Sequence, residues 1–205
     1  MGRLKIGLLA SGRGSNLQAV IDCIERGELN AEIAVVVSNK KDALALERAR
    51  THGIKAIFVD IRGFQDRNAY ERKIVEILNE SKVELVVLAG YMLIIGMTIL
   101  QAFRNRIINI HPALTPSFPG LHAQKQAVDF SVRYSGCTVH FVDESLDAGP
   151  IILQSVVPVM IDDTEESLSK RILEQEHKIL PEAIRLYSEG RLKIEGRKVK
   201  ILPKL

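Results

Sequence analysis

The chain has no tryptophan, only four tyrosines and only two cysteines among its 205 residues. So little flat aromatic surface leaves few places for nucleic-acid bases to stack, and no nucleic-acid partner is expected. Cys23 and Cys137 are too few and too far apart for a disulfide framework or a zinc site, and no Cys-x-x-Cys motif occurs. The opening run Arg3–Ala10 starts basic, but its apolar stretch is too short for a secretory signal. It reads as a first strand, and the cytoplasm is the expected location. Charge of one sign is also scarce, at a formal net +3, and the excess gathers near the C-terminus at Arg191, Lys193, Arg197, Lys198, Lys200 and Lys204. That cluster reads as a solvated hairpin. One uncharged run, Leu85–Phe103, is long enough to be tested as a membrane span. Gly90, Gly96, Thr98 and Gln101 interrupt it, and a buried strand followed by a short helix is the expected structure, with no membrane partner.

What is present is enough for a full core: 46% of residues are hydrophobic and 26% charged. Strand-like and helix-like segments alternate through the first half. Strands are expected at Leu4–Ala10, Ala31–Ser38, Ile54–Asp60, Leu85–Ala89 and Ile107–Ile110. Helices are expected after Asn16, at Asp42–Thr51 with Asp42 as its cap, and at Asp66–Glu80. This rhythm calls for an α/β, Rossmann-like, mostly parallel sheet with helices on both faces. The C-terminal part differs. A helix near Leu121–Phe130 precedes two strands, Gly136–Val142 and Ile151–Val159, that should pair antiparallel. A long helix opens at Thr164 and should kink at Pro181, and Leu192–Ile201 is a hairpin.

Two stretches carry chemistry. Ser11-Gly-Arg-Gly-Ser-Asn16 sits between the first strand and the first helix, where backbone N–H groups and a helix N-terminus can hold an anion. Its spacing matches neither a dinucleotide fingerprint nor a Lys-ending P-loop, so a single phosphate suits it better, with Gly14, Ser15 and Asn16 as the holding residues. Ser15 and Asn16 could equally serve as helix caps. The second stretch is Asn109-Ile-His111-Pro112, where spacing two puts an amide and an imidazole on one face of a strand. Ligands of parallel sheets bind beyond the carboxyl ends of the strands, so the first turn, Tyr91–Ile95 and His111 are expected to converge. Asp147, in the acidic loop Asp143–Gly149, is the candidate carboxylate partner for His111. Such a partner favours imidazolium, and the ring could then give or take a proton. Asn109 could donate to an oxygen gaining charge. No Ser or Cys stands in a nucleophile elbow, so direct acyl transfer to an amine, without metal, fits these parts.

Five ordered motifs extend this reading: Ser11-Gly-x-Gly-Ser-Asn16, Asn109-Ile-His-Pro112, Phe118-Pro-Gly-Leu-His122, Gly136-Cys-Thr-Val-His-Phe-Val142 and Leu146-Asp-x-Gly-Pro150. Together, from Leu4 to about Arg191, the sequence resembles the phosphoribosylglycinamide formyltransferases, folate-dependent enzymes of purine synthesis. The resemblance implies the formyltransferase fold and a single domain over 1–205. That domain would comprise a phosphate-binding half (1–110), a catalytic and folate-binding half (111–190) and a basic hairpin (191–205). It implies small-molecule substrates, with 10-formyltetrahydrofolate as co-substrate and no metal, and a monomer or weak homodimer. Asn109, His111 and Asp147 would be catalytic. Gly14, Ser15, Asn16 and Glu176 would bind the phosphoribosyl substrate, and Arg67, Met92, Leu93, Ile94, Ile95, Asp143 and Glu144 the folate. Leu93 stands where the family usually has Arg, and Ala113-Leu-Thr-Pro replaces the commoner Ser-Leu-Leu-Pro. His140 is expected to pack rather than react, and His122 either to reach substrate or to cap a helix.

Related readings stay open. Methionyl-tRNA formyltransferases share the fold and catalytic trio but add a C-terminal domain, and formyltetrahydrofolate hydrolases add an N-terminal one. A non-catalytic phosphate- or nucleotide-binding module is the alternative from another class.

Overall fold

The computed structural model describes residues 2–204. The chain divides into two compact units, Met1–Ile108 and Asn109–Leu205. In the first unit the strands are β1 (Leu4–Leu9), β2 (Ala31–Ser38), β3 (Ala56–Phe58) and β4 (Leu85–Ala89). They lie in the order β3-β2-β1-β4, all parallel. Every residue of β4 is buried, which is why that strand reads as an unbroken apolar run rather than an alternating one. The helices are α1 (Ser15–Glu25), α2 (Leu44–Thr51), α3 (Arg67–Glu80) and the short α4 (Met97–Ala102). The uncharged run thus resolves into β4, a turn and α4, and among the described residues no helix is long and apolar enough to cross a membrane.

The strand β5 (Ile107–His111) carries the chain into the second unit. There α5 (Ala123–Asp129) precedes β6 (Tyr134–Phe141) and β7 (Ile151–Pro158), then the long α6 (Glu165–Ser188) and the hairpin β8 (Leu192–Glu195) and β9 (Lys198–Ile201). β6 and β7 are antiparallel, as are β8 and β9, and β9 meets β7 through the single parallel pair Ile151–Lys198. The mixed α/β fold with a parallel first part and an antiparallel C-terminal part is the one the sequence pattern called for.

Several local expectations are corrected. Asp42 does not cap α2: the cap position is Ala43, and no side chain caps it. The amide of Ala45, in the first turn, instead donates to Gly12 O (3.1 Å), so a tertiary contact supplies what a side-chain cap would. Ser15 and Asn16 are not caps either, because α1 starts at Ser15 on a left-handed Gly14 (φ 69°, ψ 29°). The third strand shortens to three residues, and His111 lies inside β5 rather than after it. The helix α6, which holds Pro181 within its length, is firmly held at its start, with Thr164 and Ser167 forming a reciprocal capping box.

The β6–β7 pairing depends on close backbone approach at Gly136. A Cβ there would stand 1.9 Å from Ser155 O and 2.9 Å from the Leu114 side chain. Gly136→Ala should therefore destabilise the protein by about 3 kcal/mol, the upper range for overpacking a core. Urea unfolding checks this, and a variant as stable as the parent would refute the assigned register.

Candidate active site

The second unit brings the amide, the imidazole and the acid together. Asn109 and His111 alternate with buried Ile108 and Ile110 along β5, so their side chains leave the strand on one face. The loop between β6 and β7 brings Asp147 to that face. Its Oδ1 accepts from Asn109 Nδ2 (3.2 Å), and its Oδ2 lies 3.5 Å from His111 Nδ1. Gly120 N donates to Oδ2 as well (2.8 Å). The carboxylate is only 13% exposed, so these donors replace the water it has lost. Asp147 itself adopts the left-handed region (φ 48°), which Asp tolerates better than most residues. Closure of the loop also needs Gly149, where a Cβ would stand 1.9 Å from Phe141 O.

The other face of His111 is engaged too: Nε2 lies 2.8 Å from Phe118 O. Both ring nitrogens therefore face oxygen acceptors. The loop after β5 is pinned by Thr138, whose hydroxyl donates to Ala113 O (2.7 Å) and accepts from Thr115 N (3.1 Å) and Gln154 Nε2 (3.0 Å).

His140, expected to pack rather than react, is buried and lies within this cluster. Its Nδ1–H donates to Phe141 O (2.9 Å), leaving Nε2 to accept from Asn109 Nδ2 (3.3 Å). Burial is the main influence on this ring and pushes its pKa below the ordinary value of 6.5, keeping it neutral. Both amide hydrogens of Asn109 are thus taken, by Asp147 and by His140. For Asn109 to donate to a developing oxyanion, one of these long contacts must be exchanged. The signal in the sequence was period two along β6, since His140 and Thr138 share a face of that strand.

In the first unit the glycine-rich turn and the segment after β4 meet. Ser11 N donates to Gly90 O (3.0 Å), Met92 N to Ser11 Oγ (2.9 Å), and Ser11 Oγ to Asn39 Oδ1 (2.6 Å). The carboxyl ends of β1, β2 and β4 are joined by one serine. Arg67, Nη2 to Ile94 O and Nε to Glu71 Oε1 (3.0 Å), is already occupied by its neighbours. The buried Glu71 also accepts from Gly96 N (2.8 Å), so α3 grips residues 94–96 by carbonyl and amide alike. Met92 and Ile94 are exposed, Ile95 is buried, and Leu93 is half-buried. With Arg67 and Tyr91, Leu93 borders a cavity of about 40 Å³, room for water but not for a ring system. In the second unit Asp143 turns back to accept from Ser145 N (2.8 Å) and Glu144 is exposed. Glu176 is buried in α6, close enough to Cys137 for its charge to help burial raise that thiol to about 12. His122 is solvent-facing, 3.6 Å from Glu165. Among the described residues no cluster of three or more His, Cys, Asp or Glu could hold a metal ion.

The formyl transferase family model matches residues 4–184. The chain belongs to the formyl transferase family. This formyl transferase is 41% identical to phosphoribosylglycinamide formyltransferase of Escherichia coli, covering 93% of this chain and 90% of that protein. The crystal structure of glycinamide ribonucleotide transformylase 1 from Symbiobacterium toebii is 51% identical, with a TM-score of 0.97 over 98% of this chain and 95% of that one. The trifunctional purine biosynthetic protein adenosine-3 of Drosophila pseudoobscura is 43% identical over 98% of this chain, which spans 15% of that longer protein's length.

The buried neutral His140 sets a stability slope. Its folded pKa lies below the unfolded 6.5, so the unfolded state binds the extra proton first. Stability should therefore fall as pH drops below about 6.5 and level off beneath the folded value. Urea unfolding at several pH values should show this slope, and it should flatten in His140→Gln. An unchanged slope in that variant would contradict the neutral assignment.

Proposed function

We propose that this formyl transferase moves the formyl group of 10-formyltetrahydrofolate to the glycinamide amine of 5-phosphoribosylglycinamide, in de novo purine biosynthesis. The observation that carries this reading is Asp147 bound between Asn109 and His111, side chains two residues apart on one strand. The family membership and the relatives' activities support it.

In the reaction the unprotonated amine attacks the formyl carbon. A C–N bond forms and the carbonyl oxygen takes negative charge. Asn109, on exchanging one of its present contacts, and the His111 ring are the donors for that oxygen. The attacking nitrogen then loses a proton, the folate nitrogen gains one, and the bond between that nitrogen and the formyl carbon breaks. Net, one proton moves from amine to leaving group. His111 is the group to supply it, with Asp147 holding the ring and balancing its charge. Gly14, Ser15 and Asn16 bind the phosphate through the α1 N-terminus, and Glu176 meets the glycinamide or ribose end. Residues 92–95, shaped by Arg67 and Glu71, contribute with Asp143 and Glu144 to folate binding. The backbone on either side of Leu93 is held by Ser11 at Met92 N and by α3 at Ile94 O and Gly96 N, with no part taken by the side chain at 93, so Leu can stand in place of Arg without loss of that framework.

Tetrahydrofolate release from 10-formyltetrahydrofolate, with and without the glycinamide ribonucleotide, tests the reading. Release should require the amine and fall by about 10²–10⁴-fold in His111→Ala, with a smaller loss in Asp147→Asn. Release without the amine would make the protein a hydrolase instead. Formyl transfer only to methionyl-tRNA, or ligand binding with no turnover, would equally overturn the proposal.

A further inference from the structure

We propose that Arg48, on α2, is a positioning residue that sets the peptide planes of the Gly12–Gly14 turn, so that its N–H groups face the substrate phosphate. This inference rests on the phosphate reading of that turn given above.

Arg48 Nε donates to Arg13 O (2.9 Å), and its Nη1 donates to Gln18 Oε1 (3.1 Å). One residue earlier in the turn, Gly12 O accepts from Ala45 N (3.1 Å). Two consecutive carbonyls are thus drawn toward α2. In a trans peptide the carbonyl and the following N–H point in opposite directions. The N–H groups of Arg13 and Gly14 must therefore point away from α2. Among the described residues no partner on the chain is found for the amides of Arg13, Gly14 and Ser15. A run of such unpaired amides around a left-handed residue is an anion-binding concavity, and it opens at the start of α1, the end of a helix that favours negative charge.

The arrangement has no slack. Gly14 (φ 69°) packs so closely on α2 that a Cβ would stand 2.7 Å from Ala45 Cα. Gln18, the second acceptor for Arg48, lies on α1 and is itself held by donating to Asp22 Oδ1 (2.8 Å). The guanidinium therefore ties the turn to the helix that follows it. A planar fork holds both donors at fixed angles to one another, which a freely rotating ammonium does not. Neither the spacing of Arg48 from the turn nor its helical surround marks this role in the sequence.

The test compares kcat/KM for 5-phosphoribosylglycinamide with that for its dephosphorylated riboside, in the parent protein, Arg48→Met and Arg48→Lys. Thermal unfolding of each accompanies the assay. The parent's preference for the nucleotide should shrink about tenfold in Arg48→Met and about threefold in Arg48→Lys, with inorganic phosphate becoming a weaker competitor in step. A folded Arg48→Met with undiminished preference would overturn the positioning role while leaving the phosphate reading intact. Full recovery in Arg48→Lys would also overturn it, because charge alone would then suffice. Should Arg48→Met not fold, Arg48→Lys decides by the same criterion. No preference in the parent protein would remove the phosphate reading itself.

Discussion

A carboxylate almost withdrawn from water has to be surrounded by donors, and in this protein that requirement organises the second unit. Asp147 accepts from an amide side chain and from a backbone N–H, and it faces the His111 ring. Each contact fixes a different segment: β5 through Asn109 and His111, the proline loop through Gly120, and the β6–β7 loop through Asp147 itself. The left-handed backbone at Asp147 is a cost borne to deliver the side chain there. Without the carboxylate, the amide and the imidazole on β5 would lose the partner that orients them both. The loop would lose its reason to fold inward.

The two units handle negative charge by different physical means. In the first, the donors proposed to face the phosphate are backbone amides of a turn and a helix start, held by contacts from α2 behind them. Such donors cannot titrate, which suits a group that is bound but does not react. In the second, the donors are side chains around a carboxylate, the His111 imidazole proposed as the acid among them. His140 shows how closely the two behaviours adjoin. Burial keeps that ring neutral, so it serves as an acceptor that fixes the Asn109 amide, while His111, on the neighbouring position of the cluster, keeps an oxygen at each nitrogen.

Part of this site was legible from residues alone. Spacing two put Asn109 and His111 on one face, and a Gly-rich turn was expected between the apolar strand and the helix, where Gly14 does take the left-handed backbone that starts α1. Other parts were hidden because their meaning is a contact across sequence. Glu71 reads as one more polar residue on an amphipathic helix, yet it is buried and grips Gly96 N. Arg67, expected toward the folate, also bonds Ile94 O and Glu71, a contact its helical position does not announce. Asp42 looked like a helix cap, but Gly12 O takes the amide that would define one, and the helix starts later.

By itself, the sequence determined the alternation of strands and helices, the parallel first half and the antiparallel C-terminal part. Apolar periodicity and turn chemistry act over a few residues, and they leave few arrangements open. It also determined which residue types are available for proton transfer and anion binding. Tertiary structure decided which of them meet: Asp147 with His111 and Asn109, His140 with Asn109, Arg48 with the carbonyl of Arg13. Those encounters depend on distances of about 3 Å between residues far apart along the chain. No local preference encodes such a distance, because packing of the whole unit sets it.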